Sequence, residues 1–475
     1  MNRIIPFVAF LLFSSSCGNE DVASHDGSAV GGSGGADSQG GTPTGGDVSV
    51  VPGSGGGSAE DPKNFTIDVT LASDIQPDAP GTVGIVTWSL ENVVPESAEI
   101  RFGLDTSYGM VAPVDLTEAN YRALLLGMKP NRTYHLQVVA TVGGRQYQSP
   151  DQTLETGPAS NLVNVTSTIH DEASHESGFI VSTYVQTPPP TMPYTEFMNI
   201  GSMAFILDGD GDVVWWYQSQ VGLTPRARMS HDGKSMWLVP ERTDYDGAQI
   251  ERVSMDTLES TIYDGVVGAS HDGAVVDGQV LAYIDYGESD CGSVFELAQD
   301  GSEVEIFESS DYLPGLVMPN CHLNAIRYRE AQLLYTVSDR YNDIFVFDRP
   351  GALQWRLSDI VPNANYGGEQ HGHQLLTDTI ILFANRGGDG GNSAAIEYSL
   401  ADGTEVFRYD PGIFSVYYGD VQRLPAGNTL VTFSIAGTMH EVDPDGNLVM
   451  TIRGDIFSYA EWRSSLYGPP TDIRQ

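Results

Sequence analysis

The chain has 475 residues and is strongly acidic, with 63 Asp and Glu against 23 Lys and Arg and a net charge of −40. A surface of that sign repels phosphate backbones and argues against nucleic acid as a partner; an anionic ligand needs a local positive pocket working against the global field. Hydrophobic residues make up 40% of the chain, enough for a large core and more than one domain.

Residues 1–17 read as an export signal. Asn2-Arg3 supplies the positive end, Ile4 to Phe13 a short apolar run, and Ser14-Ser15-Ser16 small residues before Cys17. The apolar run is too short to span a bilayer as a finished helix. Cys17 is the expected lipidation site, which predicts an exported lipoprotein, periplasmic or at the cell surface, held to the membrane by its anchor. Ser14 stands where a lipobox usually has Leu, so an ordinary cleaved signal with an incidental cysteine is the alternative. Residues 18–62 are rich in Gly and Ser (Gly31-Gly32-Ser33-Gly34-Gly35, Gly53-Ser54-Gly55-Gly56-Gly57) and predict a disordered linker, since nothing in them builds a core.

From 63 to 158 the pattern becomes alternating. Val83, Ile85 and Trp88 lie in one β-rich run, and Tyr134, Leu136, Val138 and Ala140 alternate as a half-buried strand requires. The approach to that strand, Leu126-Gly127-Met128-Lys129-Pro130-Asn131-Arg132-Thr133-Tyr134, resembles the corner before strand F of fibronectin type III domains, where a tyrosine closes the turn. The resemblance implies a β-sandwich serving as spacer or packing module.

From 162 to 475 there is an internal repeat. Its units begin at Ser230-His231-Asp232-Gly233, Ser270-His271-Asp272-Gly273, Cys321-His322-Leu323-Asn324, Gln370-His371-Gly372-His373 and Tyr418-Gly419-Asp420-Val421, spaced by 40, 51, 49 and 48 residues. That is the length of a four-stranded propeller blade. Phe179 to Tyr217 supplies a further unit, giving six blades, or seven if the first is mixed. The fold class predicted is all-β: a six-bladed β-propeller preceded by a sandwich. Asp208-Gly209-Asp210-Gly211-Asp212 reads as a hairpin turn, with a calcium loop as the alternative. Cys291 and Cys321, 30 residues apart, are expected to form a disulfide in an exported protein; two buried thiols are the alternative.

In a propeller the innermost strand of every blade lines one central channel, so a residue recurring at its start recurs around a ring. That position holds His231, His271, His322 and His371, four of the chain's ten histidines. Arg340, at the end of Leu334-Tyr335-Thr336-Val337-Ser338-Asp339, is placed to join them. Three or four imidazoles suit zinc or copper, but an arginine beside them disfavours a cation and favours an anion. Phe414, Tyr417 and Tyr418 are candidates to hold an aromatic ring.

Several segments together resemble bacterial arylsulfate sulfotransferases, which use no nucleotide sulfate donor. They are His322 to Arg340 with Asn324; Gln370-His371 followed by Leu382-Phe383-Ala384-Asn385; Gly419-Asp420-Val421-Gln422-Arg423-Leu424-Pro425-Ala426-Gly427-Asn428-Thr429-Leu430; and Glu461-Trp462-Arg463-Ser464-Ser465-Leu466-Tyr467-Gly468. The resemblance covers residues 165 to 475. It implies six blades and transfer of a sulfuryl group from an aryl sulfate to a phenol through a sulfated histidine, with no cofactor. Carried over by motif, His371 is the nucleophile, His322 and Arg340 bind the sulfuryl oxygens, and His271 is the remaining site histidine. Asn324 and His231 are expected behind them. Two departures stand out: the family's Asp after Leu-Phe is Ala384 here, and the stretch between His371 and Phe383 is one residue shorter. His373, facing the same side as His371 on an alternating strand, is the rival nucleophile. A non-catalytic exported binding propeller is the alternative from another class.

Overall fold

A computed structural model describes residues 64–470, apart from 190, 242–247, 267, 288–290, 318–319, 341–342 and 362–368. The expected signal, Cys17 and the linker lie outside the described residues. The described chain is all-β, built from small antiparallel sheets, and none of its helices is long and apolar enough to cross a membrane.

The first part holds two sheets. One runs Phe65–Leu71, Gly84–Leu90, Ala123–Leu125; the other runs Met110–Pro113, Ser97–Gly103, Thr133–Val142, Arg145–Gln148, with Gln152–Glu155 also paired to Thr133–Val142. Trp88, Ile100, Phe102, Leu125, Leu136 and Val138 share one buried cluster, as alternation within each strand requires. Tyr134 is buried, and its hydroxyl accepts a hydrogen bond from the Lys129 backbone N–H at 2.8 Å, closing the corner that the sequence anticipated.

The second part is a ring of six sheets among the described residues. Their inner strands are Arg226–Met229, Ala269–Val276, Leu323–Arg329, Gln370–Leu375, Asp420–Arg423 and Ile456–Arg463. Each packs beside the next, and Ile456–Arg463 packs beside Arg226–Met229, so the circle closes. Five sheets follow chain order from inside outward. The other is composite: the C-terminal strand Ile456–Arg463 is its inner member, and Phe179–Val185, Met203–Leu207 and Val213–Gln218 complete it. The two ends of the ring are thereby stitched together by backbone hydrogen bonds between residues far apart in sequence. Strand Thr166–Ile169 adds a fifth, outer member to the preceding sheet.

Burial falls from the axis outward. Ile456–Arg463 is buried at every position, whereas outer strands such as Glu303–Glu308 and Glu405–Tyr409 are largely exposed and carry charges. Charged edges of this kind discourage pairing with other chains. Cys291 and Cys321 are bonded, joining the Ser293–Leu297 strand to the start of the next inner strand.

The two parts share a hydrophobic cluster that includes Val83, Ile85, Leu124 and Leu126 from the first and Val181, Trp215, Met236 and Leu466 from the second. Thr82 Oγ1 donates to the Val214 carbonyl at 2.6 Å, and the Tyr467 hydroxyl donates to the Leu124 carbonyl at 2.7 Å. Asp208 to Asp212 form the hairpin turn between Met203–Leu207 and Val213–Gln218. The Lys129 ammonium sits among their carboxylates, 2.6, 2.7 and 2.8 Å from Asp208, Asp210 and Asp212. The charges that a calcium ion would answer are answered by a lysine from the neighbouring sheet pair.

Candidate functional site

Three consecutive inner strands are irregular at their first residues. The ladder skips between Ala269 and Gly273, between Leu323 and Ala325, and between Gln370 and His373. Each irregularity is a bulge, which breaks the two-residue alternation and re-aims side chains. His271, Asn324 and His371 lie inside these bulges. Non-glycine residues with positive φ also gather there: His271 at 38°, Glu369 at 73° and Tyr418 at 54°. Left-handed backbone at such residues is costly and collects where side chains must take a particular aim.

His271, His322, His371 and Arg340 lie together at this mouth of the ring. His271 and His322 stack at 5.0 Å between centroids, and Tyr286 stacks on His322 at 4.8 Å. Rings stacked face to face do not converge their nitrogens on one point. Among the described residues, no group of three or more His, Cys, Asp and Glu is arranged to hold a metal ion. The Arg340 backbone N–H bonds the His322 carbonyl at 2.7 Å, and its guanidinium lies 3.2 Å from Glu369. Burial drives all three imidazoles toward the neutral form. His322 is held well below the ordinary value by burial, then by His271, Arg340 and His371. Burial lowers His271 to about 4, and lowers His371 to about 3 with His271 and Arg340 adding to the effect. Arg340 is thus the cation of this group, and the imidazoles beside it are neutral.

His371 is oriented by Asn385. The Asn385 Nδ2 donates to the carbonyls of Ser415 and Tyr418, both at 2.8 Å, which turns its Oδ1 toward His371 Nδ1 at 2.7 Å. An oxygen that can only accept requires the proton on Nδ1, so His371 Nε2 carries the lone pair. The edges of Tyr418 and Tyr459 face this ring at 6.5 and 6.4 Å.

His373 does not share that aim. Because of the bulge, 371 and 373 lose the same-side relation of a regular strand. His373 is fully buried beneath the mouth, with Nε2 on the Thr336 hydroxyl at 2.8 Å. Asn324 also serves as support: its Nδ2 donates to the Gln370 carbonyl at 2.6 Å and its carbonyl accepts from the Tyr459 hydroxyl at 2.8 Å. His231 is at the opposite end of the axis, a correction to the four-histidine ring. It follows its inner strand rather than beginning it, and its backbone N–H bonds Gly278, in the turn at the far end of the His271 strand. The short spacing of 40 residues was the signal of this slip; the others, 51, 49 and 48, put the corresponding residue between Gln220 and Leu223. Phe414 is on the rim, exposed, under the Arg386 guanidinium at 4.9 Å.

Below the mouth the axis is filled by ions that the sequence did not announce. Arg226 bridges Asp272 at 2.5 Å and Asp420 at 3.1 Å; Arg327 bridges the same two carboxylates, and Arg228 and Arg463 hold Glu461. Burial alone would raise Asp272, but Arg226, then Arg327 and Arg228, hold it far below the ordinary range; likewise Arg228 and Arg463 bring Glu461 to about 2. Tyr459 divides the two layers, with Arg226 over one face at 4.2 Å.

A second repeat position also escaped the sequence. In four sheets a residue one or two past the second strand donates its N–H to a carbonyl ahead of the inner strand: Tyr286 to Gly268 (2.9 Å), Arg340 to His322 (2.7 Å) and Asn385 to Glu369 (3.3 Å), each directly before the strand, and Glu241 to Leu223 (2.7 Å), three residues before it. Arg340 was anticipated by motif; Tyr286, Asn385 and Glu241 hold the same place in their own sheets. Glu241 Oε2 lies 3.6 Å from His271 Nδ1.

No protein-family profile and no curated protein matches the chain. Among solved structures it is similar to TolB from Acinetobacter baumannii (13% identity, 71% of this chain and 80% of that one, TM-score 0.42). It is also similar to a protein of unknown function from Bacteroides caccae (12%, 60% and 98%, 0.42). A third is a catalytically inactive variant of virginiamycin B lyase from Staphylococcus aureus with quinupristin (10%, 60% and 87%, 0.36). None of these three reaches a TM-score of one half, and the architecture rests on the strand pairing itself.

Proposed function

We propose that the chain is a six-bladed β-propeller behind a fibronectin type III-like sandwich, and that it moves a sulfuryl group from an aryl sulfate to a phenol through a sulfated His371. The observation that carries this is the Asn385–His371 pair: an imidazole fixed as the Nδ1–H tautomer, neutral, with its lone pair on Nε2, beside the Arg340 guanidinium. An aryl sulfate is a monoanion with a good leaving group, since phenol has a pKa of about 10. His371 Nε2 attacks sulfur; the bond from sulfur to the aryl oxygen breaks, and phenolate leaves. Arg340 faces the charge on the sulfuryl oxygens, with His322 and His271 walling the pocket. An acceptor phenol then attacks the same sulfur, and the N–S bond breaks to restore His371. All the carriers are side chains of the chain, so no cofactor and no nucleotide donor enters. Tyr286, Tyr418 and Tyr459 supply an aromatic lining for donor and acceptor rings. Ala384 ends its strand buried between Gln370 and Ala394, so where the family has an Asp the rim here is shaped without that charge. We keep the expectation that Cys17 anchors the exported protein to a membrane, where small aryl sulfates and phenols reach it.

The test is to incubate purified protein with a chromogenic aryl sulfate, with and without a second phenol. Phenol-dependent release that disappears in His371→Ala supports transfer. Release indifferent to phenol indicates hydrolysis, and no release by wild-type protein overturns both.

A further inference from the structure

The three imidazoles at the mouth are neutral, and the only proton His371 carries, on Nδ1, is held by Asn385. A guanidinium does not surrender its proton. Transfer between phenols is nevertheless assisted by a proton given to the departing phenolate, and the incoming phenol must lose one. The sheet beginning at Arg226 contributes one candidate to the mouth. Glu241 holds in that sheet the place of Arg340, with its backbone N–H tied to Leu223 as that of Arg340 is tied to His322. Its carboxyl lies 3.6 Å from His271 Nδ1 and bonds the Tyr418 side chain, whose ring faces His371. The Oε2 atom is buried, and no hydrogen bond from the described residues reaches it. A buried carboxyl oxygen without a donor favours the protonated acid, which is a donor itself.

Resting on the reading above, we propose that Glu241 is the proton carrier of this site. As the acid it gives its proton to the aryl oxygen while the sulfur–oxygen bond breaks and His371 Nε2 takes the sulfuryl group. The carboxylate left behind accepts the hydroxyl proton of the acceptor phenol as that oxygen attacks sulfur and the N–S bond breaks. After both steps Glu241 is again protonated and His371 again neutral, so protons and charge balance over the cycle. Burial pushes this carboxyl up to about 8, with the Tyr418 bond opposing it. Among the described residues, the groups facing it are His271 from the Ala269–Val276 strand, Tyr418 ahead of Asp420–Arg423, and Tyr459 from Ile456–Arg463. None of them carries charge near neutral pH, as burial lowers His271 and raises Tyr459.

The experiment compares wild type and Glu241→Gln on two donors, nitrophenyl sulfate and phenyl sulfate, with one phenol acceptor. Nitrophenolate, the weaker base, gains little from a proton as it leaves, whereas phenolate gains much more. The variant is expected to lose about 100-fold with phenyl sulfate and less than about tenfold with nitrophenyl sulfate. Wild-type turnover of phenyl sulfate is expected to fall above about pH 8, as the acid form is lost, while the variant shows no such limb. Equal losses on both donors, or an unchanged limb in the variant, overturn the proposal while leaving the transfer chemistry standing. If wild-type protein releases neither phenol, the transfer chemistry falls first and the role of Glu241 with it. Should Glu241→Gln prevent folding, the wild-type limb decides: present with phenyl sulfate alone it supports the proposal, present equally with both donors it overturns it.

Discussion

The axis of the ring holds two layers, separated by Tyr459, that solve burial in opposite ways. In the lower layer Arg226, Arg228, Arg327 and Arg463 meet Asp272, Asp420 and Glu461 in direct ion pairs. In the upper layer burial strips the imidazoles of charge, the backbone is bulged and locally left-handed, and a carboxyl oxygen is left without a donor. Paired ions make a rigid floor that is costly to disturb. Neutral imidazoles beside a single guanidinium make a pocket suited to an anion. On the proposed function the lower layer holds the ring together and the upper layer acts, and substitutions on either side of Tyr459 are expected to separate stability from turnover.

The largest effect belongs to the upper layer. His371→Ala is expected to reduce aryl sulfate turnover by about 10⁴-fold or more, with a melting temperature close to wild type, measured by phenol release and thermal denaturation. Asp272→Ala reverses the pattern. It leaves two guanidiniums of a buried site, Arg226 and Arg327, with Asp420 as the one carboxylate between them and should cost about 3–5 kcal/mol in denaturant unfolding. Asn385→Ala frees the His371 tautomer and is expected to lower kcat by about 100-fold while KM moves little, a split that a packing defect does not produce. His373→Ala removes the bond to Thr336 and a buried ring and should cost about 2–4 kcal/mol of stability, with turnover near wild type.

Acid titration draws the same boundary. His271, His371 and His373 sit at about 4, 3 and 3 when folded, against 6.5 ordinarily, so the unfolded chain takes up protons first. Their contribution to stability is complete above pH 6.5 and is lost as pH falls toward 4 and 3. Glu461, at about 2 against 4.5, contributes fully above pH 4.5 and fails only as pH falls toward 2. Unfolding midpoints measured against pH are therefore expected to decline in two stages, and His373→Gln should flatten the first alone.

Much of this was legible in the chain itself. The Tyr134 corner was legible through the resemblance of residues 126–134 to the approach to strand F of fibronectin type III domains, and Cys291 and Cys321 were the only two cysteines left after Cys17. His271, His322 and His371 were found because repetition turns equal spacing into a shared axis. The same reasoning misplaced His231, since the motif Ser-His-Asp-Gly describes a turn as readily as a strand start. The bulges were invisible because alternation is the assumption by which strands are read, and the bulge is what separates the aim of His371 from that of His373. The ion layer was missed because Asp272 and Asp420 looked like punctuation beside His271 and Gly419, and their partners lie in other sheets. Glu241 and Asn385 follow second strands, where attention fell on Arg340 alone.

A covalent intermediate is the most direct consequence of transfer through His371. Protein mixed with an aryl sulfate in the absence of acceptor, then quenched and digested, should release one phenol per chain and carry the mass of one SO3 group on the peptide containing His371, located by fragmentation to His371 itself. A label on His322 or His373, or a full burst of phenol with His371 unmodified, would contradict it.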